Sequence, residues 1–240
     1  MSAISRGRCS ATATASLKTH FNVQHMVAAA IFARKVFEIE ATHDHQKGLV
    51  SGEPYYAHRG YVAGAVFSAV ASLEATINEL FIDAQHGDPN TFKGADPEFA
   101  PLLAERWEVV ERWSILRKYQ LALTLAKKQE FGREGSPYEE VDGLIDLRNA
   151  LVHYKPEWDT DQKKHKELED RLKSRFALNP FAGPNDAFFP KKCLGHGCAE
   201  WAVKSGVSFI NEFFGRLGLP TIFAGERQDR EELQDLLRTR

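Results

Sequence analysis

The sequence predicts an all-α protein, a compact helical bundle of about five or six helices around one core. Apolar residues recur at steps of three and four through most of the chain, which is the spacing of one face of a helix. No stretch alternates apolar and polar residues as a half-buried strand does, and no internal repeat is visible. We expect helices over about two-thirds of the residues, far above the content of an average domain.

Turn signals separate the predicted helices. Glycine and proline cluster near 48–54, 87–90 and 131–137, Pro156 disfavours helix at the residue before it, and Gly218 is a natural C-terminal stop. From the spacing between these signals we expect helices over about 22–45, 55–86, 97–130, 137–154, 158–178 and 198–217.

The helix over 55–86 is the clearest of the six. Its apolar residues fall at helical steps, and small residues such as Gly64, Ala65 and Ala71 fill its other faces. A helix that is apolar or small on most sides is buried by neighbours on several faces, so we expect it at the centre of the bundle. Glu74 and Asn78 lie one turn apart on it.

Composition excludes several classes of protein. The chain has 240 residues, a formal charge of −2, 43% apolar residues and 27% charged residues. Those values exclude a disordered chain and a polybasic nucleic-acid binder. We expect one domain over 21–220, with a flexible N-terminal tail over 1–20 and a charged C-terminal tail over 221–240.

The expected location is the cytoplasm. Three cysteines are too few for a disulfide scaffold and fit a reducing compartment. The basic start of the chain is not followed by an apolar segment, so we find no secretory signal. The longest near-apolar stretch, 61–73, is shorter than the ~20 residues of a membrane span, and we expect no membrane contact.

The helix over 137–154 ends in a set of residues that could cleave RNA. His153 can exchange a proton with a ribose 2′-hydroxyl or a leaving 5′-oxygen, and Arg148 can hold the phosphate between them. This chemistry needs no metal and no cofactor, because the 2′-oxygen is the nucleophile. Residues five apart point about 140° away from each other on an ideal helix. Arg148 and His153 therefore converge only if the helix end distorts near Pro156, or if a two-fold partner supplies a second copy.

Arg148-Asn149-x-x-x-His153 resembles the R-x4–6-H signature of the HEPN superfamily, whose members often carry a polar residue after the arginine. The small-residue helix over 63–81 resembles the one that precedes the signature in many members, so the similarity covers roughly 55–155. The resemblance implies a compact helical bundle with a site formed across a homodimer. Many members are metal-independent endoribonucleases in defence, toxin–antitoxin pairs or RNA processing, and others keep the fold without activity.

Three further residues are candidates for positioning the site. Glu74 and Asn78 could orient Arg148 or His153 from the central helix, or form a buried ion pair or an interhelical hydrogen bond. Asp146, on the same helix as Arg148, could pair with it. Alternatively, His153 and Tyr154 could have a structural role only, interacting with the helix dipole and with the free carbonyl groups at the C-terminus of the helix.

Two other features leave alternatives open. Cys193, His196 and Cys198 could supply three zinc ligands, with His165 or Cys9 as a fourth, although a glycine-rich turn into the last helix is the favoured interpretation. The basic residues of 163–175 could contact an RNA backbone, but interleaved acidic residues favour a solvated, ion-paired face. The loop over 179–197 is long for a compact domain, so it is functional or packed over the core.

Three hypotheses follow. The first is a homodimeric, metal-independent endoribonuclease in which Arg148 holds the phosphate, His153 is the general acid and base, and Asn149 orients the site or forms a hydrogen bond. Its partners would be RNA, a second copy of the chain and an antitoxin or other regulatory protein. The second is a non-catalytic module of the same fold that binds RNA, a nucleotide or a protein. The third is a small zinc-stabilised structural protein.

Overall fold

The computed structural model describes residues 18–48, 51–88, 90–157, 163–223 and 228–240. Helices account for 65% of the structure, and the described residues contain no strand, which confirms the all-α prediction. The helices are α1 (Asn22–Thr42), α2 (Glu53–Gln85), α3 (Phe99–Val110), α4 (Ile115–Leu125), α5 (Tyr138–Val152), α6 (Lys163–Leu172), α7 (His196–Leu217) and α8 (Gln228–Leu236). A kinked turn over Phe188–Lys192, extended at Phe189, precedes α7.

The central position of α2 is confirmed. This helix contacts α1, α3, α4, α5 and α7. Small side chains allow the close packing: Ala65 and Ala69 are fully buried, and a Cβ atom on Gly64 would lie 2.9 Å from the ring of Phe32 on α1. α1 and α2 therefore pack against each other at a distance that larger residues would not permit.

The last long helix, α7, also follows its prediction. Gly218 adopts a left-handed conformation (φ 74°) directly after it, as a helix C-terminus often requires. Its rings of Phe209 and Phe213 meet the ring of Tyr119 edge to face, with centroids 4.9 and 4.6 Å apart. The Tyr119 hydroxyl donates a hydrogen bond to the Leu73 carbonyl of α2 at 2.8 Å, so α4 is fixed between α2 and α7.

The single helix predicted over 97–130 is wrong, because the chain breaks between α3 and α4. Val110 and Ile115 are 1% and 5% exposed on either side of the break. In one straight helix these residues, five apart, would point about 140° away from each other and could not both face the core. The extended conformation of Ser114 (φ −61°, ψ 150°) resets the register and allows both to be buried.

The segment 179–197 packs over the core, which was one of the two possibilities for it. Phe188, Phe189, Cys193 and Leu194 are all buried. At its end the chain enters α7 through Gly197, where a Cβ atom would lie 2.3 Å from the carbonyl oxygen of Ala177. Only glycine permits that approach of two backbone segments.

The C-terminal one of the two predicted tails is described over residues 221–223 and 228–240. Residues 1–17 lie outside the described residues. In the C-terminal segment, Arg34 of α1 donates hydrogen bonds to the carbonyls of Leu236 and Arg238 at 2.8 and 2.5 Å. Leu237 and Thr239 are buried, so the residues after α8 pack against the bundle.

By length and composition alone, α2 could cross a membrane. The apolar stretch 61–73, from which the sequence predicts no membrane span, is shorter than α2 as a whole. In the described part of the chain, α2 is the one helix long and apolar enough to cross a membrane, and 56% of its apolar window is buried inside the bundle. The core helix of a soluble protein meets the same criterion, and the structure is consistent with a soluble protein.

The glycine at the start of α7 gives a first test. Gly197→Ala should lower the free energy of unfolding by about 3 kcal/mol, because the backbone of Ala177 must move. Gly60→Ala is the matched control in α2, where nothing lies within 4 Å of the new Cβ atom. Its better helix propensity should raise stability by about 0.5–1 kcal/mol. Urea unfolding measures both, and equal effects would contradict the packing described for Gly197.

Candidate functional site

α5 carries the predicted motif and is held by one apolar face. Val141, Leu144 and Leu147 are fully buried, and α5 packs against α2 and α7. The helix ends at Val152, and His153 is its C-terminal cap with φ −103° and ψ 32°. The predicted end of this helix, just before Pro156, is confirmed.

The three motif residues differ in exposure. Arg148 is half-buried, whereas Asn149 and His153 are exposed. The Nε atom of Arg148 is buried and has no hydrogen-bond partner among the described residues. No hydrogen bond in the described part of the chain joins Arg148 to His153. Within one chain, therefore, the guanidinium and the imidazole are not paired with each other.

Apolar side chains surround the end of α5. Val152 is 54% exposed and Tyr154 is 46% exposed. The Tyr154 ring stacks on that of His165 at the start of α6, with centroids 5.8 Å apart, and also contacts Phe189 of the 179–197 segment. The motif thus lies at a junction of three segments, beside a partly exposed apolar surface formed by Val152 and Tyr154.

Asn78 and Glu74 face a buried lysine of α4. Lys118 is 1% exposed and donates a hydrogen bond from Nζ to Asn78 Oδ1 at 2.8 Å. Burial lowers the pKa of Lys118, and the negative charges of Glu74 and Glu111 oppose that shift. The described contacts place Asn78 in an interhelical hydrogen bond, one of the two alternatives for it, and bring neither residue into hydrogen-bond contact with Arg148 or His153.

Asp146 does not pair with Arg148 and pairs instead with Arg171 of α6. Arg171 of α6 donates hydrogen bonds to both Asp142 and Asp146. Partial burial raises the pKa of Asp146, while the Arg171 guanidinium acts in the opposite direction. Asp146 therefore fixes α6 against the motif helix.

A second arginine, in the turn that follows α6, repeats this arrangement. Arg175 donates to Glu139 and Glu140 in the first turn of α5. The interleaved acidic residues indicated an ion-paired face, and within the segment Lys166 pairs with Glu169 and Lys173 pairs with Asp170. Arg171 and Arg175 pair instead with carboxylates of α5. The side chains of Lys163 and Lys164, at the start of α6, lie outside the described residues.

Within the described residues, the cysteine-containing segment is a buried turn into α7 and not a metal centre. Cys193 and Cys198 are fully buried, and burial raises the pKa of the Cys193 thiol to about 12 and that of Cys198 well above its usual value. His196 Nε2 lies 3.0 Å from the Thr239 carbonyl oxygen. Among the described residues, which exclude Cys9, no three His, Cys, Asp or Glu side chains are grouped so that they could hold a metal. Both thiols act as small core residues.

Sequence reasoning missed two polar features of the interior. Lys118 lies on the apolar face of α4, three residues after Ile115 and four before Ala122. That spacing is the signal that could have predicted its burial. The second is His58, which is 2% exposed and lies with Nε2 2.8 Å from Glu40 Oε1. No local pattern indicates that contact, because it joins two different helices.

We compared the chain with protein-family models, curated proteins and solved structures, and no match was found. The resemblance to the HEPN superfamily therefore depends on the residues of the chain itself, namely the motif of α5 and the small-residue helix α2.

The buried lysine predicts a pH dependence. Because the pKa of Lys118 is lowered on folding, the unfolded chain binds this proton more tightly than the folded one. The resulting destabilisation is complete below the folded pKa and disappears as the pH rises through the ordinary value of 10.5. The difference in unfolding free energy, wild type minus Lys118→Met, should thus increase between neutral and alkaline pH.

Chemical denaturation at several pH values measures this difference. Lys128→Met is the control, since Lys128 is exposed. A pH-independent difference for Lys118→Met would show that its ammonium group is not desolvated.

Proposed function

We propose that this protein is a metal-independent endoribonuclease of the HEPN type that acts as a homodimer. One observation carries the proposal. Three buried side-chain nitrogen or oxygen atoms in the described chain lack a hydrogen-bond partner, and Arg148 Nε is the one that belongs to an arginine. A buried Nε–H without an acceptor is costly to the fold, and an acceptor brought to it when a phosphate or a second chain binds, with the small movement that exposes this atom, would offset that cost.

The cleavage step follows from the chemistry of the two side chains. One His153 removes the proton of the ribose 2′-hydroxyl, and the 2′-oxygen attacks the adjacent phosphorus. The bond from phosphorus to the 5′-oxygen breaks, and that oxygen receives a proton from a second imidazole. The products are a 2′,3′-cyclic phosphate and a 5′-hydroxyl. Arg148 stabilises the negative charge that develops on the phosphate, and Asn149 offers an amide donor beside it.

A second copy of the chain would complete this site. Arg148 and His153 are not hydrogen-bonded to each other within one chain, and two motifs from a two-fold pair are the simplest source of two histidines and two arginines. Val152 and Tyr154 offer an apolar surface next to the motif that such an interface would bury. Asp146 would contribute indirectly, by holding α6 against the motif helix.

The cellular setting is part of the same proposal. The resemblance suggests an intracellular role in defence or as the toxin of a toxin–antitoxin pair, with an antitoxin or another regulatory protein as partner. Three cysteines, of which Cys193 and Cys198 are buried and free, fit a cytoplasmic protein.

A non-catalytic binding module of the same fold is the second candidate. One observation favours it: Asn149 and His153 are exposed, and Val152 and Tyr154 beside them are exposed apolar residues. In a single chain the motif is thus an exposed helix end, which suits the docking of RNA or of a protein as well as it suits catalysis.

RNA cleavage in EDTA separates the two candidates. Purified protein incubated with mixed cellular RNA should leave 2′,3′-cyclic phosphate ends. His153→Ala should lower the rate at least about 100-fold, because the proton-transfer group is lost, and Arg148→Ala should be comparably inactive. His86→Ala is the matched control, because His86 is also exposed and also caps the C-terminus of its helix, α2.

Retention of cleavage by the Arg148→Ala/His153→Ala double variant would contradict this site. Absence of cleavage by every form, with saturable RNA binding, would favour the binding module.

The dimer can be tested separately from the chemistry. Val152→Asp should make the protein monomeric at concentrations where the wild type is a dimer, because a charge would be buried at the interface. Light scattering coupled to size exclusion measures the mass. Val109→Asp is the control, since Val109 is 66% exposed and lies at the end of α3, away from the motif. An unchanged dimer in Val152→Asp would exclude this surface from the interface.

A further inference from the structure

A cavity of about 320 Å³ lies between the start of α2 and the segment that follows Asn179. Tyr55, His58 and Arg59 line it from α2, and Phe181, Asp186 and Lys191 line it from the opposite side. Its residues are separate from the motif of α5. Its volume is at the lower end of the range for small-molecule sites, which is too small for a polymer but sufficient for a small metabolite.

One side of the cavity is rigid. His58 is 2% exposed, and its Nε2 atom lies 2.8 Å from Glu40 Oε1. The same carboxylate oxygen accepts the backbone N–H of His196 at 2.7 Å. His58 is therefore held by α1 and by the start of α7, and it cannot move without disturbing both.

The opposite side is fixed by an aromatic contact. The ring of Phe181 meets His58 edge to face with centroids 5.4 Å apart, and it meets His45 in the same way at 5.3 Å. Asn179 Oδ1 accepts the N–H of Phe181 at 3.0 Å, which holds this turn of the chain. The cavity is consequently formed before any ligand arrives.

The charges that line the cavity favour an anion. Lys191 pairs with Asp186 at 2.7 Å, and Asp186 also accepts the N–H of Gly183 at 2.8 Å. Arg59 has no hydrogen bond and no ion pair among the described residues, and its guanidinium contacts the ring of Tyr55 at 5.5 Å. Two cations and one anion leave an excess positive charge, and the guanidinium donors that would use it are unoccupied.

We propose that this cavity binds the phosphate group of a small phosphomonoester, with Arg59 as its principal donor and Lys191 as the second cation. A guanidinium matches phosphate oxygens with two parallel hydrogen bonds, and a lysine adds a point charge. A phosphate group presents three acceptor oxygens, one more than a carboxylate, so it can accept from the Arg59 fork and from Lys191 at the same time. This site does not depend on the ribonuclease proposal.

Inorganic phosphate is the probe. Calorimetric titration of the full-length protein at constant ionic strength should show saturable binding, and the side-chain Nε–H resonance of Arg59 should shift in a ¹H–¹⁵N spectrum. Arg59→Gln should weaken binding by about tenfold or more, since a charge-assisted hydrogen bond is lost. Arg59→Lys, which keeps the charge but not the fork, should give an intermediate affinity.

Arg112→Gln is the matched control, because Arg112 is exposed in the turn between α3 and α4. It should bind phosphate as the wild type does. Circular dichroism and thermal unfolding establish that each variant is folded. The proposal is overturned if the wild type shows no saturable binding, if both Arg59 variants bind as tightly as the wild type, or if acetate binds as tightly as phosphate.

Discussion

The carboxylate of Glu40 fixes the geometry on which the rest of the bundle depends. It lies near the end of α1, receives a hydrogen bond from the buried His58 of α2, and accepts the first N–H of α7 at His196. Gly195, which precedes α7, has no side chain to cap that helix, so Glu40 supplies the cap from another helix. Its negative charge also suits the positive end of α7. One side chain thus sets the relative positions of three helices.

The motif helix takes its orientation from that arrangement. α5 packs against α2 and α7 by its apolar face, while its acidic residues are held by Arg171 of α6 and by Arg175 in the turn after it. With both of these faces occupied, the polar residues near the C-terminal end of α5 lie towards the surface. The fold therefore presents Arg148 and His153 on a rigid support, which either proposed function requires.

The sequence predicted what depends on local spacing and missed what depends on distant contacts. The bounds of α2, α5 and α7 follow from apolar periodicity and from residues such as Gly218, and they were correct to within a few residues. The break before Ile115 was missed because propensity is continuous there and only the register changes. The Glu40–His196 contact joins residues 156 apart, and no local signal marks it. The placement of Arg148 and His153 at a helix end was predictable, whereas the relative position of their side chains depends on contacts that local spacing does not encode.

The two buried thiols make the start of α7 a natural reporter of its own dynamics. Cys193 and Cys198 are shielded from solvent on either side of that helix start, and a thiol reacts as its thiolate. A thiol-specific reagent can therefore modify them only during opening events, and the rate of modification measures how often this part of the molecule separates from the bundle. With Cys9 replaced by serine, the remaining signal would come from these two positions alone. The rate of thiol modification therefore reports the frequency of local opening at the junction of α1, α2 and α7.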